Sequence, residues 1–306
     1  MTASGGSPFR SALSREADEI LGSAAGADGD RRDLGVDGAR ALLLSQLSVE
    51  SAPVAGPGWS GPPEVFCRPV AGRALVLAFH GGGLVVGHPR ALAALAAELS
   101  AAADVDVVVP GYGLAPEHGM RDRIERLTRT VAEIAAKRPD APLVLLGNSA
   151  GALLAIRVAA SLSLARVRVS GVALLAPMLD PSLDTASVAA WGEGHLLTAT
   201  DLRWFWDLAG RDVPPIPELV AALPPDVPVL VGLPQRDPLY DDGQALALEL
   251  MTRSRPVTAF SLPGAIHAQS NGRPPQARRV LTDIVTDWLR RVPSRPSRER
   301  KAPPQR

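Results

Sequence analysis

The sequence predicts an α/β fold, with a central, mostly parallel sheet flanked by helices. Two observations carry that prediction. From Glu64 onward, short apolar runs alternate with longer amphipathic stretches of helical period. The apolar runs are continuous rather than alternating, as expected of strands buried on both sides, where no face is left for polar residues. With 306 residues, 46% of them hydrophobic, the chain is long enough to bury a substantial core of this kind.

The elements follow in order. Ser11 to Leu21 carries Leu13, Ala17, Ile20 and Leu21 at helical spacing, and Asp37 to Leu47 sets Ala39, Leu42, Leu43 and Leu47 on one stripe. These two helices lack a core of their own, so they are expected as an arm packed on the main body. The Pro/Gly-rich stretch Ala52 to Pro63 reads as its linker. A strand is expected over Leu75 to Phe79, a helix over Arg90 to Ala103, a strand over Val105 to Val109, a helix over Arg121 to Lys137 and a strand over Leu143 to Leu146. Further strands are expected at Val169 to Ala176, Val227 to Leu233 and Val257 to Leu262. Asp180 to Pro217 breaks the alternation. It holds Trp191, Trp204, Phe205 and Trp206, four of the chain's twelve aromatic residues, between proline-rich flanks, and reads as a helical insertion over the sheet's carboxyl edge. After Val292, Arg, Pro and Ser dominate, and a disordered tail is expected.

Composition narrows the partners. Lys+Arg and Asp+Glu balance at 32 each, so no net field draws the chain to nucleic acid or to an anionic membrane, and a small molecule is the expected partner. The single cysteine, Cys67, excludes an intramolecular disulfide and a thiolate metal cluster; no metal and no cofactor are expected. Met1 to Arg10 has no leader-like pattern and no long uncharged apolar segment follows, so a cytoplasmic location is expected.

Chemistry enters at Gly147-Asn148-Ser149-Ala150-Gly151, between the strand Leu143 to Leu146 and a helical stretch from Ala152 to Ala160. This is a G-x-S-x-G elbow: a sharp strand-to-helix turn has room only for glycine at its flanks and lifts the serine hydroxyl to the strand's carboxyl end. A serine needs a base to take its proton and a carboxylate to hold that base. On an α/β-hydrolase sheet the order is Ser, then acid, then His, each after its own strand. Of five histidines only His267, after Val257 to Leu262, meets both order and position. Asp237 follows the strand Val227 to Leu233, whereas Asp241 and Asp242 are expected to open the helix Gly243 to Met251, where negative charge favours the N-terminal dipole. His80-Gly81-Gly82-Gly83 follows Leu75 to Phe79, and successive glycines let backbone N–H groups converge on a tetrahedral oxyanion, together with the N–H of Ala150.

The chain resembles the hormone-sensitive-lipase-like branch of the α/β-hydrolases, the microbial carboxylesterases with an HGGG motif. Beyond His80 to Gly83 and the elbow, Gly111-Tyr112-Gly113-Leu114-Ala115-Pro116-Glu117-His118 resembles that family's D-Y-R-L-A-P-E-H, and Asp237-Pro238-Leu239-Tyr240-Asp241-Asp242-Gly243 its D-P-L-x-D-E-G. Leu196-Leu197-Thr198 through Trp204-Phe205-Trp206 resembles its cap, and the likeness runs from about Asp33 to Arg290. The resemblance implies an α/β-hydrolase fold whose helical cap is built from the N-terminal arm and the insertion. Together with the composition, it sets residues 1–60 as arm and cap helices, 61–292 as the catalytic domain with the cap insertion at about 180–217, and 293–306 as a disordered basic tail. It also implies Ser149 as nucleophile, His267 as general base, Asp237 as orienting acid, and Gly82, Gly83 and Ala150 as oxyanion donors.

The chain departs from the family pattern beside the serine. Asn148 and Ala152 stand where the family elbow G-D-S-A-G-G has Asp and Gly, Gly113 where Arg is usual, and Leu84 where an aromatic follows the glycines. Ala268 and Gln269 stand where G-F follows the histidine. No triad atom is lost, but the walls are reshaped, and Leu84, Asn148, Trp204 and Trp206 are the expected substrate-binding side chains. The expected function is a serine hydrolase cleaving a small acyl ester or a lactone through an acyl-enzyme, acting as a monomer or homodimer. The alternatives are an acyltransferase, cyclase or eliminating enzyme of specialised metabolism built on the same site, and a non-catalytic ligand-binding protein on the same fold.

Overall fold

Apolar runs set the sheet. The computed structural model describes residues 8–24, 32–47, 65–67, 72–267 and 275–292; the linker expected over Ala52 to Pro63 and the tail after Val292 lie outside them. Among the described residues seven strands form one sheet: β1 (Val65–Cys67), β2 (Leu75–Phe79), β3 (Asp106–Val109), β4 (Leu143–Asn148), β5 (Gly171–Leu175), β6 (Val229–Arg236) and β7 (Val257–Ile266). Their order is β1-β3-β2-β4-β5-β6-β7, with β1 antiparallel to β3 and every other pair parallel. The predicted α/β fold stands. β1 has no counterpart in the sequence reading, because three residues are too few to show a period.

The continuous apolar runs have a plain cause. In β4, Leu143 and Leu145 join the core on one face while Val144 and Leu146 join the core on the other, and β2 divides Leu75, Leu77 and Phe79 from Val76 and Ala78 in the same way. One face is covered by α4 (Met120–Ala136), α5 (Ala150–Leu164), α8 (Ile216–Ala222) and α9 (Tyr240–Thr252). The other face lies under α3 (Ala93–Ala103) and α10 (Pro275–Arg291). Helices α6 (Ala186–Trp191), α7 (Ala199–Ala209) and α8 fill the stretch between β5 and β6, where the sequence places the insertion. Thr198 and Asp201 close a capping box on α7, which accounts for its sharp start.

The arm comprises α1 (Pro8–Ala24) and α2 (Gly35–Gln46). Leu13 and Ala17 of α1 are buried against β7 and α10, and Gly264 (φ +81°) has no room for a Cβ, which would come 2.1 Å from the Ser14 hydroxyl. The Glu16 carboxylate accepts from the N–H groups of Gln276 (2.8 Å) and Ala277 (3.0 Å), so α1 caps the first turn of α10 from across the fold. Two helix N–H groups would otherwise be left unpaired in a buried setting. Glu16→Ala is therefore expected to lower unfolding free energy by about 1–3 kcal/mol, read as a reduced urea midpoint at unchanged slope.

Candidate active site

The chain reverses sharply at Ser149, whose φ of 56° and ψ of −124° lie outside the ordinary regions for a serine. The surroundings hold it there: Ser149 N donates to Leu175 O at 2.8 Å, and Ser149 O accepts from Ala152 N at 2.9 Å. The flanking glycines are steric necessities. A Cβ at Gly147 would lie 2.3 Å from Gly151 O, and one at Gly151 would lie 2.1 Å from Phe79 O. The second contact seats the first turn of α5 directly on the end of β2, where the His80 loop departs. Ala150 is the first residue of α5, so its N–H belongs to the unpaired, positive end of that helix.

β6 runs on to Arg236 and β7 to Ile266, both farther than the sequence predicts, and Asp237 and His267 follow directly at those ends. The three side chains meet. His267 Nδ1 lies 2.7 Å from Asp237 Oδ2, and His267 Nε2 lies 3.1 Å from Ser149 Oγ. A carboxylate only accepts, so Nδ1 carries the hydrogen and Nε2 is left as the acceptor for the serine hydroxyl. Asp237 is wholly buried and its second oxygen accepts from Leu239 N at 2.9 Å, which locks its orientation.

Opposite the serine, Gly82 (φ +108°) and Gly83 (φ +60°) turn the backbone through conformations that favour glycine. A Cβ at Gly82 would come 1.9 Å from Val86 O, and one at Gly83 would fall 2.0 Å from the Phe205 ring. His80 anchors the loop from below: its Nδ1 donates to Gly81 O at 2.8 Å, its ring stacks on Tyr112 at 4.2 Å, and Tyr112 Oη donates to His80 O at 2.7 Å. Burial pushes the His80 imidazole down to about 4, so it stays neutral and structural. A serine, a histidine and a buried carboxylate in relay, facing a glycine loop and a helix N-terminus, can add a hydroxyl to a carbonyl and stabilise the charge that develops. Among the described residues no group of three or more His, Cys, Asp or Glu side chains is disposed to hold a metal ion.

Residues 76–270 match the model of a family described as having the alpha/beta hydrolase fold. An ethyl acetate hydrolase of Pseudomonas putida is 31% identical over 214 residues, covering 65% of this chain and 67% of the relative. The chain belongs to the hormone-sensitive-lipase-like carboxylesterases of the alpha/beta hydrolase superfamily. A carboxylic ester hydrolase, LipN, of Mycobacterium tuberculosis is 29% identical over 248 residues, covering 74% of this chain and 66% of the relative. This carboxylesterase-type hydrolase thus spans about two thirds of the length of those two relatives. The crystal structure of the esterase rPPE superposes with a TM-score of 0.78 at 25% identity, covering 94% of this chain and 98% of that one. A thermostable esterase from Pseudomonas putida ECU1011 superposes equally well, at TM-score 0.78 and 24% identity over the same shares of the two chains. No helix among the described residues is long and apolar enough to cross a membrane.

The walls of the carboxylesterase site differ from expectation. Leu84 and Trp206 are enclosed in the core and present no surface to a ligand, which corrects the reading of them as substrate-binding residues. Leu84 has a φ of +67°, and the chain after it turns back so that Val85 N and Val86 N donate to Gly82 O. Asn148 is likewise enclosed, beside Gly81, where a Cβ would come 3.2 Å from its amide nitrogen. Trp204 remains half-buried and packs on Phe205 at 5.3 Å. Phe205, which the sequence left unassigned, is the aromatic pressed on the glycine loop. The 100° step between neighbours on α7 says that the three aromatics diverge, but not which of them meets the loop.

His88 and His118 each hold a neighbour in their own turn. His88 Nδ1 accepts from Arg90 N at 3.2 Å and caps a short turn, and His118 pairs with Asp122 at 3.2 Å. Asp241 and Asp242 do lie in the first turn of α9, and each also ties a second segment: Asp241 accepts from Ser187 N (2.8 Å), Asp242 from Leu179 N (2.8 Å) and Asp180 N (2.9 Å). Burial, with Asp180 and Asp237 nearby, pushes the Asp242 carboxyl up to about 7. A carboxyl raised in the fold contributes stability at low pH that is lost as pH rises through the folded value. The protein is therefore expected to lose stability between about pH 4 and pH 7 through this group. Asp242→Asn keeps an accepting oxygen and should flatten that loss, as comparison of urea midpoints at pH 5 and pH 8 would show.

Proposed function

We propose that this carboxylesterase cleaves small-molecule esters of short acyl groups through an acyl-enzyme on Ser149. Ser149 Oγ attacks the ester carbonyl as His267 Nε2 takes its proton, and Asp237 holds the imidazole and balances the charge that forms on it. The N–H groups of Gly82, Gly83 and Ala150 receive the tetrahedral oxyanion, each such donor contributing about 3 kcal/mol to transition-state stabilisation. His267 then protonates the leaving alkoxide, and a water activated by the same nitrogen releases the acid. Beyond the ester and that water, every group these steps use belongs to the chain. The observation that carries the reading is the unbroken relay Ser149–His267–Asp237, at 3.1 and 2.7 Å, in the member of an esterase family.

The preference for a short acyl group rests on Phe205. Its ring packs on Gly83 from the core, with 3% of its surface exposed, so the loop is backed by filled space on that side and truncating the ring would open room there. The relative from Pseudomonas putida is named an ethyl acetate hydrolase, and the acyl group of that ester has two carbons. A panel of nitrophenyl esters graded by acyl length is expected to show kcat/KM highest at acetate or propionate. Phe205→Ala should move the optimum to longer chains, by about tenfold or more per pocket-filling change. A wild-type optimum at octanoate or beyond would overturn the acyl-length reading while leaving the triad in place.

A further inference from the structure

We infer that Arg40 is a positioning residue of the oxyanion loop, through which the N-terminal arm holds Gly82 and Gly83 where the tetrahedral oxygen forms. The inference rests on the hydrolase reading above. From α2 the Arg40 guanidinium reaches two loops at once: Nε donates to Val85 O at 3.0 Å and Nη2 donates to Ala115 O at 2.8 Å. Both terminal nitrogens also donate to the Glu117 carboxylate, each at 2.8 Å. The two loops are themselves joined, since Ala115 N donates to Leu84 O at 2.8 Å. Val85 and Val86 close the turn on the glycines, their N–H groups donating to Gly82 O at 3.1 and 2.9 Å. Each link from the arm to the oxyanion glycines is therefore a hydrogen bond of ordinary length.

This segment needs an external anchor. Gly81, Gly82 and Gly83 supply no side chains to fix their backbone, and Leu84 follows them in a left-handed conformation that costs free energy. The Arg40 side chain is about four-fifths shielded, at 21% exposure, so its bonds to Val85 and Ala115 compete weakly with water. Glu117 is half exposed and serves as the counter-charge, and Arg40 holds its carboxyl down to about 2, so the pair is ionised across the working range. A planar fork is required: a lysine in the same place offers one nitrogen and cannot reach both carbonyls and the carboxylate in one geometry. The opposite side of the loop is pressed by Phe205 from α7, so the glycines lie between the arm and the insertion.

The test uses the full chain with Arg40→Met, Arg40→Lys and Leu99→Ala, the last removing core packing under α3 on the other face of the sheet, away from the clamp. Each is assayed for hydrolysis of nitrophenyl acetate, for affinity toward a small arylboronic acid, which forms a tetrahedral anion on an active serine, and for thermal midpoint. Arg40→Met is expected to lower kcat by on the order of 10- to 100-fold, as for a displacement of catalytic groups by about an ångström. Boronate affinity should fall in parallel while KM changes little, and Arg40→Lys should recover part of both. Leu99→Ala should lose thermal stability and keep kcat. Equal kcat losses in Arg40→Met and Leu99→Ala, or unchanged kcat and boronate affinity in Arg40→Met, would overturn the inference alone. If Arg40→Met does not fold, Arg40→Lys carries the same comparison, with an intermediate loss expected and wild-type kcat overturning it. A wild-type chain inert to both ester and boronate would remove the hydrolase reading and this inference together.

Discussion

Replacing Ser149 with alanine is expected to lower kcat on short esters by about 10⁴- to 10⁶-fold and to abolish the mass shift on fluorophosphonate treatment. The size of the effect follows from what is lost. In the proposed mechanism no covalent intermediate forms without the hydroxyl, and only carbonyl binding at Gly82, Gly83 and Ala150 remains to favour attack by water. The variant should fold normally, because the elbow is held by backbone bonds from Ser149 N to Leu175 O and from Ala152 N to Ser149 O, which alanine keeps. Intact-mass spectrometry of wild type and variant after phosphonate treatment gives the answer. Labelling that survived the substitution would remove Ser149 as the nucleophile.

Asp237→Asn is expected to cost about 10⁴-fold in kcat with little change in KM. Asp237 is wholly enclosed, with one oxygen on His267 Nδ1 and the other on Leu239 N, so an amide of the same shape fits without a cavity. Leu239 N requires an oxygen, which turns the amide NH₂ toward His267 Nδ1. The ring must then accept there and carry its hydrogen on Nε2, where it can no longer take the proton of Ser149. Asp241→Asn, by contrast, should lie within about tenfold of wild type, since its carboxylate binds Ser187 N and no part of the relay. Steady-state kinetics on one ester separates the two positions. If Asp237→Asn kept activity within tenfold of wild type, the orienting role assigned to that carboxylate would fall.

The fold was legible because its cause is local and repeated. Leu143 to Leu146 or Val227 to Leu233 read as buried strands from composition and flanking turns alone, since a strand covered on both faces has no polar positions. The elbow was legible for the same reason: two glycines around a serine after such a strand mark a place where backbones pass too close for a side chain, as the 2.1 Å that would separate a Cβ at Gly151 from Phe79 O bears out. The last residues of β6 and β7 were harder. Pro234, Gln235 and Arg236 carry no strand signal, and a bulge between Pro234 and Arg236 interrupts the pairing. The chain nevertheless delivers Asp237 at the strand's end, where motif order had put it. Leu84 and Trp206 were misread because sequence adjacency to the site says nothing of rotation about the chain.

By itself the sequence determined the parallel sheet, the order of Ser149, Asp237 and His267 along it, and the glycine loop that faces them, because each depends on residue type and short spacing. Only the tertiary structure decided which groups brace that machinery. Glu16 caps a helix that begins 259 residues later, at Pro275, and Arg40 ties two loops lying 45 and 75 residues away. Phe205, rather than Trp204 or Trp206, meets Gly83. Such contacts leave no periodic trace, since a side chain's partner across the fold is set by the packing of whole helices and not by its neighbours in the chain.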